Sequence, residues 1–206
     1  MYQLPAALPV DEFDAGTNVL LAGPKSATRN LAFDALVAGS PGGQGHIVVT
    51  TTRAGEDVLT ELEPTIGSDE GTVGVVDCAS NRAGLGAVGD DARVRYASSP
   101  TDLTGIGIEL SSLLEEFQAQ HDREGIRVLL DSVTSLLEAG DVQTVFRFLH
   151  VFTGRVVNAE ALGLYVLDPS ATDDQNLRTL YQLFDVVLEV TPGADGRPIV
   201  NRHVPA

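Results

Sequence analysis

The 206-residue chain carries 13 basic against 29 acidic side chains, a net charge of −16, and 43% of its residues are hydrophobic. Such a composition builds one globular domain with a sizeable core and excludes a disordered chain. It holds no apolar run near the ~20 residues of a membrane-spanning helix, and its acidity opposes nucleic acid and anionic lipid in dilute salt.

The opening residues, MYQLPAALPVDEF, have no basic residue and no long apolar core, so no signal peptide is expected. Residues 1–17 read as an N-terminal extension. The first strand is Asn18 to Ala22, followed by a helix from about Arg29 to Ala38 that Gly39 stops. GSPGGQG follows a helix and precedes a strand, the wrong order for a dinucleotide fingerprint, so it reads as a connecting loop into the strand His46 to Thr51. A helix from Glu56 to Leu62 ends before Pro64, and the strand Thr72 to Asp77 leads into a Gly-rich loop from Ala79 to Asp91. Single Cys78 allows no internal disulfide and fits a reducing cytoplasm.

A short strand, Arg93 to Tyr96, precedes a helix from about Asp102 to His121. The buried strand Ile126 to Leu130 ends in Asp131, and Ser132 reads as the cap of a short helix. Asp141 caps a long helix reaching Ala159. Then come the strand Leu164 to Leu167, a helix from Asp174 to Leu183, and a hairpin of Asp185 to Val190 with Ile199 to Val204. Residues 191–206 thus form a hairpin and tail. Strands alternating with helices predict an α/β domain, a mostly parallel sheet covered on both faces.

Two stretches bear on chemistry. GPKSATRN, residues 23–30, follows an apolar strand and enters a helix, the place of a phosphate loop reading G-x-x-x-x-G-K-[ST]. Gly23 matches, while Thr28, Arg29 and Asn30 stand at the Gly, Lys and Ser/Thr positions. VLLDSVTSLL puts Asp131 at a strand end, where a carboxylate can reach Mg²⁺ on a bound nucleotide, although many such acids only cap helices.

Together NVLLAGP, HIVVTTTRAGEDVL, RVLLDSVTSLL, GLYVLDPS and FDVVLEV resemble the RecA-superfamily ATPases, in the branch of KaiC and archaeal RadA-like proteins. The resemblance implies a RecA-like fold in which the strand at Leu164 inserts between those at Asn18 and Val128. It implies nucleotide contacts at Gly23, Lys25, Thr28, Arg29, Asn30, Asp131 and Ser132, with Mg²⁺ held by Asp131 if nucleotide binds. Asp168 falls at a phosphate-sensing position, or else it caps a turn. Thr52 and Arg53 occupy the place of the catalytic Glu, and neither is a general base near neutral pH. Thr28 adds a Cβ where the family's Gly bends freely, and Asn30 replaces a hydroxyl.

The expectation is therefore a regulatory or assembly module acting through a protein partner or as a homo-oligomer, with ATP and Mg²⁺ bound weakly or not at all. The alternatives are a slow ATPase using Lys25, Arg29 and Asp131, and a sensor of another anion at the helix N-terminus. Lys25 is the only Lys beside 12 Arg, which invites a role in the loop, though one Lys must fall somewhere. The acidic, Lys-poor composition suggests a haloarchaeal, cytoplasmic protein; an ordinary acidic protein of a GC-rich genome fits as well. Molar salt screens charge beyond roughly 3 Å, which weakens the objection to nucleic acid.

Overall fold

Runs of Val, Leu and Ile without polar alternation have to be covered on both faces, and that requirement sets the architecture. The computed structural model describes residues 1–39, 43–66, 73–80, 91–120, 125–193 and 197–203. The predicted loop at 79–91 lies, from 81 to 90, outside the described residues, as do 40–42 of the Gly-rich connection, 194–196 of the hairpin turn, and the ends at Thr72, His121 and Val204.

Chain order runs β1 (Tyr2–Gln3), β2 (Glu12–Phe13), β3 (Asn18–Ala22), α1 (Lys25–Val37), β4 (Gly45–Thr50), α2 (Gly55–Ile66), β5 (Val73–Asp77) and β6 (Val94–Tyr96). It continues with α3 (Leu103–Gln120), β7 (Ile126–Leu130), α4 (Val133–Ala139), α5 (Val142–Asn158) and β8 (Leu162–Leu167). A 3-10 turn (Pro169–Ala171), α6 (Asp174–Tyr181), β9 (Val186–Pro192) and β10 (Pro198–Arg202) complete it. The main sheet has the order β10-β9-β3-β8-β7-β4-β5-β6. All its pairs are parallel except β9 with β10, the terminal hairpin. As the resemblance implies, β8 lies between β3 and β7.

Every residue of β3, β4, β5, β7 and β8 is buried. One face packs against α3, α4, α5 and Leu180 of α6, the other against α1, α2 and the N-terminal residues. Caps fix the helix starts. Ser132 Oγ accepts from Ser135 N–H at 3.1 Å, and Asp141 Oδ1 from Thr144 N–H at 2.9 Å. Two helices depart from the sequence pattern. α2 runs on through Pro64, because a proline in a last turn forfeits a single backbone bond near the helix end. α1 begins at Lys25 and not at Arg29, with consequences for the site.

Residues 1–17 are part of the domain. Tyr2, Leu8 and Phe13 join the core beneath α1 and α2. The Tyr2 hydroxyl accepts from Ile126 N–H at 3.0 Å and donates to Glu160 C=O at 2.8 Å. Its ring lies 5.3 Å from the guanidinium of Arg127, which is fully buried and bonded to Ala35 C=O (2.7 Å) and Gln44 Oε1 (3.0 Å). Burial pulls the Arg127 pKa down to about 10, with Tyr2 opposing. Gly125 has φ 90°, and a Cβ there would stand 2.5 Å from the Tyr2 hydroxyl.

Tyr2→Phe leaves a buried N–H of β7 without its acceptor. It should cost about 1–3 kcal/mol, read as a lowered urea midpoint with an unchanged m-value.

Candidate functional site

Parallel strands bring β3, β4, β5, β7 and β8 to one carboxyl edge, where α/β proteins bind ligands. The edge collects the turn at Gly23, the residues Thr50 to Arg53, Asp77, Asp131 and Asp168.

The turn from β3 into α1 is two residues long. Gly23 donates its N–H to Leu167 C=O at 2.9 Å, and a Cβ on it would fall 2.1 Å from the carbonyl oxygen of Val190. Glycine is therefore demanded by the close approach of β9. Pro24, at φ −57° and ψ 135°, precedes the first helical residue, Lys25. Its carbonyl accepts from Ala27 N–H (2.9 Å) and Thr28 N–H (3.1 Å). Thr28 is fully buried in the helix, its hydroxyl donating back to Pro24 C=O at 3.1 Å. Thr28 takes no left-handed bend: among the described non-Gly residues only Glu160 has a positive φ.

The sequence-predicted residues then separate around α1. Lys25 Nζ donates to Thr52 Oγ1 at 3.3 Å, beside Asp131. Arg29 turns toward α2 and pairs with Glu61 at 3.0 Å, a carboxylate it shares with Arg53 at 2.5 Å. Arg29 also lies 5.6 Å from the Phe33 ring. Asn30 faces the other flank and lines a cleft of about 270 Å³ with Ser26, Leu31, Asp34, Pro192 and Pro198.

Asp131 is buried, and both its oxygens are engaged within the protein. Oδ1 accepts from Thr51 N–H (3.0 Å) and lies 3.3 Å from the Thr51 hydroxyl; Oδ2 lies 3.0 Å from the Thr50 hydroxyl. Ser135 Oγ joins the same network, 2.6 Å from Thr51 Oγ1 and 2.9 Å from Ser132 C=O. Burial raises the Asp131 pKa, against the lowering effects of Thr51, Thr50 and Lys25. Ser132 spends its hydroxyl on the α4 cap.

Asp168 caps the 3-10 turn, accepting from Ser170 N–H at 3.0 Å and Ser170 Oγ–H at 2.7 Å. Sequence reasoning passed over Asp77, although it ends a buried strand just as Asp131 does. It accepts from Gly55 N–H (2.8 Å), Ala79 N–H (2.8 Å), Ser80 N–H (2.9 Å) and Ser80 Oγ–H (2.6 Å), tying β5 to the start of α2.

This sheet order and edge define an α/β domain of the RecA/KaiC-like fold. An uncharacterized Pyrococcus horikoshii protein, PH0321, solved in complex with an unknown peptide, superposes with TM-score 0.67 at 13% identity, over 94% of this chain and 94% of that one. The KaiC-like protein PH0186 of Pyrococcus horikoshii OT3 superposes with TM-score 0.62 at 13% identity, over 97% of this chain and 87% of that one. The chain itself belongs to DUF7504, a family of unknown function whose profile matches residues 16–190. No curated protein matches the sequence. Among the described residues no helix is long and apolar enough to cross a membrane.

Gly23→Ala should destabilise the fold by about 1–3 kcal/mol or more, since the clash is with backbone that cannot rotate away; thermal unfolding measures it. Asp131 gives a pH signature. Its raised pKa means the folded chain holds a proton that the unfolded chain, with a pKa of about 3.9, has released. Its contribution to stability is complete below that unfolded value and is lost as pH rises through the folded one. Asp131→Asn mimics the protonated acid and should flatten this fall, seen in urea midpoints taken between pH 4 and pH 8.

Proposed function

We propose that the chain is a regulatory or assembly module of the KaiC/RadA-like type that does not hydrolyse nucleotide and acts by binding a protein partner, another copy of itself included. The observation that carries this reading is the start of α1 at Lys25. A phosphate loop works by aiming free backbone N–H groups at the phosphates. Here Ala27 and Thr28 N–H are held by Pro24 C=O.

The side chains suit a nucleotide no better than the backbone does. Arg29 is committed to Glu61, Asn30 lies on the far flank of α1, and Asp131 is saturated by Thr50 and Thr51. Thr52, where the family's general base belongs, accepts from Lys25, and Arg53 pairs with Glu61. This set does not fit ATP with Mg²⁺, and no reaction step runs through it. With that reaction set aside, recognition of a partner is the reading we take. A polypeptide ligand is consistent with PH0321, a protein of the same fold, being complexed with a peptide.

ATP turnover by the purified chain with Mg²⁺ in molar KCl should lie orders of magnitude below the enzyme median of about 10 s⁻¹. Calorimetry should give no heat of ATP binding. Phosphate release that is robust, and that Asp131→Asn abolishes, would instead identify a slow ATPase using Lys25, Arg29 and Asp131.

A further inference from the structure

The partner-binding reading leaves open where a partner sits, and the cleft on the β9 flank of α1 supplies a site. Three chain segments wall it: α1, the paired ends of β9 and β10, and the N-terminal residues around Ala7. Ser26, Asn30 and Asp34 recur every four residues along α1, so hydroxyl, amide and carboxylate form one row. Opposite stand Pro192 and Pro198, register partners across the hairpin. Neither has an N–H, so that wall offers ring carbons and no backbone donors there. Half-buried Ala27 adds apolar surface, over the buried Leu31 beneath it.

Asp34 is exposed, and among the described residues nothing pairs with it. It stands ten residues into a 13-residue helix, beyond the first turn where the helix dipole favours anions. An apolar trough with a free carboxylate and an amide along one wall suits a long aliphatic stem ending in a cation. Phosphate or an acidic peptide would meet Asp34 unfavourably. A metal ion would find one carboxylate. The net charge of −16 draws cationic segments toward the surface and increases their encounter rate.

We infer that this cleft docks a cationic segment of a partner polypeptide, with an Arg or Lys head group on Asp34 and its stem between Ala27 and the two prolines. The inference rests on the partner-binding reading. It fails separately from the loss of ATPase activity, because the site shares none of Lys25, Arg29 or Asp131.

The test is a ¹⁵N–¹H titration of the full chain with two probes, acetyl-Ala-Arg-Ala-amide and acetyl-Ala-Gln-Ala-amide, at the lowest salt that keeps it folded. The Arg peptide should shift the amides of Ser26, Asn30 and Asp34, and bind about two- to fivefold more tightly than the Gln peptide, the range of an exposed ion pair. Asp34→Asn, at an exposed helical position, should keep the circular dichroism spectrum and remove that preference. Equal response to both peptides, shifts confined to other surfaces, or an Arg preference that survives Asp34→Asn would each overturn the assignment. So would the absence of any shift, whatever the ATP measurements give.

Discussion

The shortness of the turn between β3 and α1 constrains the whole functional edge. Gly23 is pressed against the Val190 carbonyl, and Pro24 fixes the next backbone angle, so the chain has two residues in which to leave the sheet. With no slack for a loop, the helix starts at once, and Pro24 C=O takes the N–H groups of Ala27 and Thr28. The turn then decides which way each later residue faces. Lys25 reaches the β4 end, Arg29 reaches α2, and Asn30 and Asp34 look toward β9. One helix therefore presents two different sides, Arg29 paired with Glu61 toward α2 and the row of Ser26, Asn30 and Asp34 toward the terminal hairpin.

Asp131 shows how the edge is held together by groups of the protein itself. A carboxylate at the end of a buried strand carries a large desolvation penalty unless donors meet it. Thr50 and Thr51 provide them from the neighbouring strand, and Ser132 and Ser135 extend the network into α4. The Thr50 hydroxyl has a single proton and two acceptors at 3.0 Å, Asp131 Oδ2 and Arg53 C=O. That one proton is shared between the carboxylate and the turn after β4, so Thr50 ties the two together. Burial raises the Asp131 pKa, and the Thr50 and Thr51 bonds oppose that shift. Asp77 solves the same problem at β5 with four donors around it, three of them from the turn that follows.

At the opposite end of the sheet a buried cation, Arg127, has no carboxylate partner among the described residues. Arg127 keeps its charge through a backbone carbonyl, an amide oxygen and the face of Tyr2, and its lowered pKa reflects the desolvation those contacts only partly offset. Tyr2 in turn bonds the start of β7 and the turn before β8. The first residues of the chain thereby close the end of the sheet that the functional edge does not use.

The layout was legible in the sequence because its signals are local and repeated. Apolar five- and six-residue runs marked β3, β4, β5, β7 and β8, and Asp141 and Ser132 marked helix caps. The place of β8 between β3 and β7 came from family resemblance and not from periodicity. Sequence also marked residues 23–30 and Asp131 as the segments to watch, since a strand ending in Gly or Asp is a local pattern. What it could not decide is the direction of side chains around α1 and the company that Asp131 keeps. Those depend on contacts far apart in the chain: Val190 against Gly23, Glu61 on Arg29, Thr50 and Thr51 on Asp131. Tyr2 was hidden for the same reason, because its partners Ile126 and Glu160 are 124 and 158 positions away. Local propensity places a residue on a helix or strand. Only the packed sheet determines which polar group it meets, because burial makes every unpaired donor or acceptor costly and so selects among the possible pairings.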